Sequence, residues 1–336
     1  MRLTLLVGCI EEMRSIEICQ KLMLILTPFF ILSACSTPGS KYVVGAGHRS
    51  GYYYPAAQSI CKILNKSQNQ FNCRIKITSG GSAPNIKGII SGDFQFGMAQ
   101  SDIVYDAWNG DGDWSKIGPQ KDLRAVFGLY DEMVTLVAAD DANIDTIGDL
   151  AGKKVNIGKP GSGHRNMAVR AMDAAGINWK KDLILFEEKA SQGPELLQNG
   201  SVDAFFYVLA HPSSRIKRAV SGKRKAHFVP IDHVDTVVGK YPYYSKTSIP
   251  VSWYPNISNS EDIPSFGVKA LLITTKNVPE NIVYSYAKEV IENIDVIQKN
   301  HPACRFLKEH EMTEALSIPV HAGALKYFKE SDLIAN

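Results

Sequence analysis

The chain has 336 residues, 45% of them apolar and 21% charged, with a formal net charge of only +3. That composition excludes a disordered chain, and with no basic run interleaved with aromatics it argues against a nucleic-acid partner. The length is enough for two globular lobes, each with its own core.

In chain order, residues 1–35 read as a leader and not as part of the fold. In "KLMLILTPFFILSAC" the basic Lys21 precedes an apolar run of signal-peptide length, too short and wrongly flanked for a membrane span. It closes on Leu32-Ser33-Ala34-Cys35, which resembles the lipobox of bacterial lipoproteins, and Cys35 is therefore the expected lipidation site. The segment before Lys21 carries Glu11, Glu12 and Glu17, unusual for a leader, and Met13 is an alternative start. "STPGS" after Cys35 reads as a tether, so the mature chain is expected outside the cytoplasm, periplasmic and lipid-anchored to a membrane. With the leader set aside, Cys61, Cys73 and Cys304 remain. Cys61 and Cys73 flank a polar, turn-rich segment, and in an oxidising compartment either a bridge contributing about 2–3 kcal/mol or two buried thiols satisfies that spacing. No CxxC or HExxH pattern points to a metal, and nothing calls for a cofactor.

From Lys41 strand and helix signals alternate. "KYVVGAG" precedes a helix through "PAAQSICKILNK", "CRIKITS" precedes "APNIKGIISG", and "FQFGMAQ" precedes "SDIVYDAWNG". "LRAVFGLYDEMVTLVAA" reads as one or two long β segments. A second series opens at "IDTIGDLAGKKVNIG", where Thr146 and Asp149 have capping-box spacing, and runs on through "AHFVPI". A buried-strand run, "SFGVKALLITT", an amphipathic helix from Pro279 to about Asn300 and a helical tail follow. Alternation of this kind predicts an α/β protein with a mostly parallel sheet. Two such series predict two lobes, residues 36–137 plus 250–336 and residues 138–249, joined by a double crossing with a hinged cleft between them. No internal repeat is present.

Four junctions share one context, after a strand and before a helix: "GAGHRSGYYYP", "TSGGSAPN", "AQSD" and "GKPGSGHRN". Strand carboxyl ends are where loops converge on ligands in open α/β sheets, and helix N-termini attract anions. Each of Ser82, Ser101 and Ser162 can also be a plain N-cap, but four such loops on two lobes point to a small anion held between them. Arg49 and Arg165 can clamp a carboxylate or serve an ordinary salt bridge. The run Tyr52-Tyr53-Tyr54 can wall a cleft or simply pack, while Tyr207 and His211 follow "DAFFY" toward the same strand end. Catalytic readings fail on spacing. Gly158-Lys159 is followed by Pro160, which breaks a P-loop, and "PGSGH" is no G-x-S-x-G elbow. The cleft is expected to hold uncharged hydroxyls and amides with two cations at its rim, so no enzyme is expected.

The pieces "SGYYYP", "TSGGSAPNIKGIISGDFQFGMAQSDIVYDAWNG", "LRAVFGLY", "IGDLAGKKVNIGKPGSG", "GSVDAFFYV", "YPYYSKTSIP", "FGVKALLITT", "VPENIVYSYAKEVIENID", "HPA" and "IPVHAGALKYFKE" occur in an order that covers nearly all of the mature chain. In that order the chain resembles the TAXI-type solute receptors of TRAP (tripartite ATP-independent periplasmic) transporters. The resemblance implies a two-lobed type II periplasmic-binding-protein fold. It also implies a non-catalytic, monomeric receptor that closes on a small organic anion (a dicarboxylate, 2-oxoacid or acidic amino acid such as glutamate) and delivers it to an ion-coupled membrane permease. Carried over by motif, the implied ligand contacts are Tyr54, Gly81, Ser82, Gln100, Ser101, Ser162 and Gly163, with Arg165 and Tyr207 added from the loops above. The resemblance also favours a Cys61–Cys73 disulfide. His48-Arg49-Ser50 replaces the family's glycine–threonine run, which makes His48 and Arg49 possible additional contacts, and Cys304 stands where a bulky apolar residue is common. A sensor for a signalling partner is the alternative reading.

Overall fold

The structure, a computed structural model, describes residues 41–49, 51–67, 71–78, 81–160 and 162–335. The expected leader, its lipidation site Cys35 and the tether lie outside the described residues. Residues Lys41–Asn336 form one compact unit.

The elements run β1 (Lys41–Gly45), α1 (Tyr53–Lys66), β2 (Asn72–Lys76), α2 (Ser82–Ile90), β3 (Phe96–Gln100), α3 (Ser101–Asn109) and β4 (Leu123–Ala139). They continue with β5 (Lys154–Asn156), α4 (Gly163–Ala174), β6 (Ile184–Phe186), α5 (Gly193–Gln198), β7 (Ala204–Leu209), α6 (Ser214–Val220), β8 (Ala226–Val229), α7 (Val234–Lys240) and β9 (Tyr244–Ile249). The last are β10 (Ile263–Thr275), α8 (Glu280–Glu292), α9 (Ile294–Asn300) and α10 (Ala322–Glu330). Among the described residues no helix is long and apolar enough to cross a membrane.

The strands join one sheet in the order β2-β1-β3-β10-β4-β7-β5-β6, with β8 on β4 and β9 on β10. The expectation of a mostly parallel sheet holds only on its flanks. There β1 pairs in parallel with β2 and β3, and β5 with β6 and β7. The centre is antiparallel, because β4 and β10 pair with each other and with β3, β7, β8 and β9. Those two strands arise late in each series and return through the middle, which a local strand–helix alternation does not announce.

Buried side chains fall into two cores. One gathers residues from Tyr42 to Tyr130 and from Ala270 to Phe328, with Ala210. The other gathers residues from Val134 to Val268. The cores change hands inside β4, between Tyr130 and Val134, and inside β10, between Val268 and Ala270. Both strands are buried over most of their length, as strands covered on both faces are, and the changeover is marked by the partly exposed step Asp131-Glu132-Met133 in β4 and by the buried Lys269 in β10. Lys269 and Asp131 are register partners, and their side chains pair at 3.0 Å. The Lys269 stem lies on Gly128, where a Cβ would stand 2.8 Å from its Cγ. Glycine is needed there for close approach, not for an unusual backbone angle.

In the first lobe, α1 buries Ala56, Ala57, Ile60, Cys61, Ile63 and Leu64, a stripe at helical spacing. Cys61 and Cys73 form a disulfide with Cα atoms 5.0 Å apart, tying α1 to β2. The Thr146–Asp149 capping box is present. The long helix read from Pro279 onward is broken at Asn293 into α8 and α9.

Candidate functional site

A cavity of about 680 Å³ opens where the loops of both lobes meet, a volume in the range of small-molecule sites. Its first wall comes from the β1–α1 turn, the start of α2, the end of β3 and the polar step of β4. Its second comes from the start of α4, the end of β7 and the start of α6.

On the first wall, Gly81 is the residue before α2 and Ser82 its first residue. Ser82 does not cap its own helix. Its hydroxyl accepts from the Gln100 backbone N–H at 3.0 Å and lies 3.3 Å from the Tyr53 hydroxyl, which knits α1, α2 and β3 together at the cavity. Gln100 then extends its Nε2 to Glu132, donating to Oε2 at 2.8 Å. Burial pushes the Glu132 carboxyl up to about 7, against the pull of hydrogen bonds from Tyr53 and Gln100 and reinforced by the negative charge of Asp102. Asp102, buried just behind, is itself pushed up to about 6 by burial, opposed by the Ile103 backbone N–H and by Arg170. Asp106 and Asp113 add two more carboxylates to the lining, and burial raises that of Asp106.

On the second wall, the turn into α4 is shaped by Asn156, whose Oδ1 accepts from the Glu188 N–H at 2.9 Å and the Gly158 N–H at 3.4 Å. Gly158 takes φ of 90°, a left-handed value that glycine adopts without strain. Ser162 is a true N-cap: its hydroxyl accepts from the Arg165 N–H at 3.3 Å and donates to the Lys159 carbonyl at 2.8 Å. Gly163 and His164 follow into the cavity, where burial lowers the pKa of the His164 ring. Arg215 also lines the cavity, and its guanidinium donates to the Tyr207 hydroxyl at 2.5 Å.

Of the residues expected to hold ligand, the structure brings His48, Gly81, Ser82, Gln100, Ser162, Gly163 and Tyr207 to this cavity. Five other candidates are placed elsewhere. Ser101 donates to the Tyr243 carbonyl and accepts from the Lys269 N–H, so the neighbouring strand β10 and the second lobe consume its hydroxyl. Arg165 pairs with Glu187 and lies over Trp179. Tyr54 carries the Arg49 guanidinium on its ring at 5.3 Å, and neither residue lines the cavity; Tyr52 and Tyr53 do. His211 is buried between Thr135 and Tyr254, which fix its ring nitrogens at 2.8 and 2.5 Å.

The expectation of a cleft holding only hydroxyls, amides and rim cations is corrected by Glu132, Asp106, Asp113 and Arg215. Arg215 had a readable signal, since "LAHPSSR" is another strand-to-helix junction. Glu132 had none, because it lies inside a strand. Among the described residues no cluster of His, Cys, Asp and Glu is arranged to hold a metal ion.

Comparison with solved structures finds a periplasmic sulfonate-binding protein from Methylobacillus flagellatus KT at 13% identity and TM-score 0.52, covering 88% of this chain and 96% of its own. The periplasmic aliphatic sulphonate binding protein of Escherichia coli matches at 14% identity and TM-score 0.49, covering 88% and 84%. The lipoprotein Tp32 of Treponema pallidum matches at 13% and 0.46, covering 78% and 96%. At such identities the first of these shows the fold, that of a two-lobed periplasmic binding protein. The family model described as NMT1-like matches residues 44–331, nearly the whole described chain, and on that match the protein belongs to the NMT1-like family.

Proposed function

We propose that the protein is an extracytoplasmic solute receptor that takes a small organic carboxylate between its lobes and delivers it to an ion-coupled TRAP permease. One observation carries the reading. A cavity of ligand size is walled by elements of both cores and holds Arg215 beside the capped start of α4. A carboxylate placed there accepts hydrogen bonds from the guanidinium, the Tyr207 hydroxyl and the free N–H groups of α4. Contacts to both walls exist together only when the lobes are closed, so ligand shifts the population toward closure.

The binding-protein fold and the NMT1-like family support a receptor, as does the likeness to the periplasmic sulfonate-binding protein of Methylobacillus flagellatus. The TRAP partner, the lipid anchor at Cys35 and the carboxylate class rest on the sequence resemblance. Titration of the mature protein against dicarboxylates, 2-oxoacids and amino acids is expected to give binding and a thermal shift. No response to any of them at millimolar concentration overturns the ligand assignment. Because Glu132 supplies an acid–base group to the cleft, the same samples distinguish an enzyme: a receptor returns its ligand chemically unchanged. Uptake that persists when ATP is removed but collapses with the ion gradient identifies the permease type.

A further inference from the structure

We propose that Glu132 is the residue that sets ligand charge, and that the cleft takes a zwitterion, with its carboxylate on Arg215 and a primary ammonium on Glu132. The inference rests on the reading of the cavity as the ligand site and deepens it.

The two walls differ in sign. Arg215 is the arginine of the second wall, and its guanidinium donates to Tyr207, with no ion pair to a carboxylate among the described residues. The first wall presents Glu132, Asp106 and Asp113. None of the basic groups nearby pairs with Glu132, although Arg170 offsets part of the charge of Asp102 and Asp106. Lys269 pairs with Asp131 at 3.0 Å, and Arg170 bonds to the Tyr244 hydroxyl and lies over the ring of Tyr241 at 4.3 Å. Glu132 therefore receives only neutral donors, the Gln100 amide at 2.8 Å and the Tyr53 hydroxyl. A second carboxylate on the ligand placed at Glu132 would meet a like charge there, whereas an ammonium would meet an opposite one. Such an arrangement admits one class and rejects the other, as selective sites do by adding repulsion to attraction.

The titratable and polar groups facing Glu132 from each packed element are Tyr52 and Tyr53 at the start of α1, Gln100 at the end of β3, Asp102 on α3 and Tyr130 on its own strand. None is a cation, consistent with a carboxyl held near 7 until a ligand charge arrives. An arriving ammonium pulls it back toward the ordinary 4.5, so binding near neutrality releases a proton. An arriving anion pushes it higher, so binding takes a proton up.

The test is calorimetric titration of the mature protein at pH 7 in two buffers of different ionisation enthalpy. α-Amino acids are compared with their 2-oxo and 2-hydroxy counterparts and with dicarboxylates of matched length. The amino acid is expected to bind on the order of 10²-fold tighter than its deaminated counterpart, with net proton release. Glu132→Gln is expected to bring the two within about tenfold and to abolish the proton release, while Glu132→Asp keeps the order of preference. Circular dichroism and thermal unfolding check that each variant is folded. A deaminated acid or dicarboxylate that binds as tightly as the amino acid, proton uptake on binding, or an unchanged preference in Glu132→Gln overturns the proposal alone. No binding of any carboxylate overturns the ligand-site reading and this proposal with it.

Discussion

Glu132 stands at a price to the empty protein. Its carboxyl is raised from the ordinary 4.5 to about 7, so between those values the native state holds more protons than the unfolded chain. Stability accordingly falls as pH rises through that window, and the cost is complete above it. Asp102, raised from 3.8 to about 6, adds a fall of the same sign at lower pH. Replacing Glu132 by Gln keeps an acceptor for the Gln100 amide and removes the charge. At pH 8 the variant is expected to be more stable than the parent by about 1–3 kcal/mol in denaturant unfolding, the difference vanishing below pH 4.5. A parent that is as stable as the variant at pH 8 would show that Glu132 is relieved by solvent.

Secondary elements are held by two fastenings of different kind. The Cys61–Cys73 disulfide closes a sequence separation of 12 between α1 and β2, and replacing both cysteines by serine is expected to cost about 2–3 kcal/mol, read as a lower urea midpoint. Reductant should lower the parent to the variant's midpoint. The second fastening is the Lys269–Asp131 pair, whose stem occupies the space above Gly128. Gly128→Ala pushes a methyl against that buried stem and is expected to cost about 1–3 kcal/mol, measured in the same way. These elements also show what could be read in advance. Strand-to-helix junctions announce themselves through glycine, serine and a change of period, so Gly81, Ser82, Gln100, Ser162 and Gly163 were legible as a group. Ser101 looked the same in sequence, yet its hydroxyl is consumed by Tyr243 and Lys269, residues more than a hundred positions away. Glu132 lay hidden because the two acids of "YDEMV" read only as a break in an apolar strand, and their direction depends on where β4 passes between cores.

At the scale of the molecule, two lobes were legible because strand–helix series repeat, while the meeting of both series in one mixed sheet was not. Pairing across β4 and β10 joins residues from Leu123 to Thr275, a partnership that no local period encodes. If the cavity closes on ligand as we propose, small-angle scattering should show a smaller radius of gyration on adding a binding amino acid. Trp114, buried at the cavity lining, should report the same event by fluorescence. An unchanged radius with a changed emission would mean binding without closure.

The way the two cores divide the chain has a consequence for the order of assembly. The buried residues of the second core all lie between Val134 and Val268, a stretch from which the first core takes only Ala210, whereas the first core needs residues from both sides of that stretch, as far apart as Tyr42 and Phe328. Its closing contacts span most of the polypeptide, and pairings of that range form late. In pulsed hydrogen exchange during refolding, amides of β7 and β8 are expected to be protected before those of β1 and β3. A chain built this way leaves its outer lobe unfinished until almost the last turn of helix is available, so a truncation that removes only α10 is expected to unsettle β1 and β3, at the far end of the sequence, more than β7 and β8.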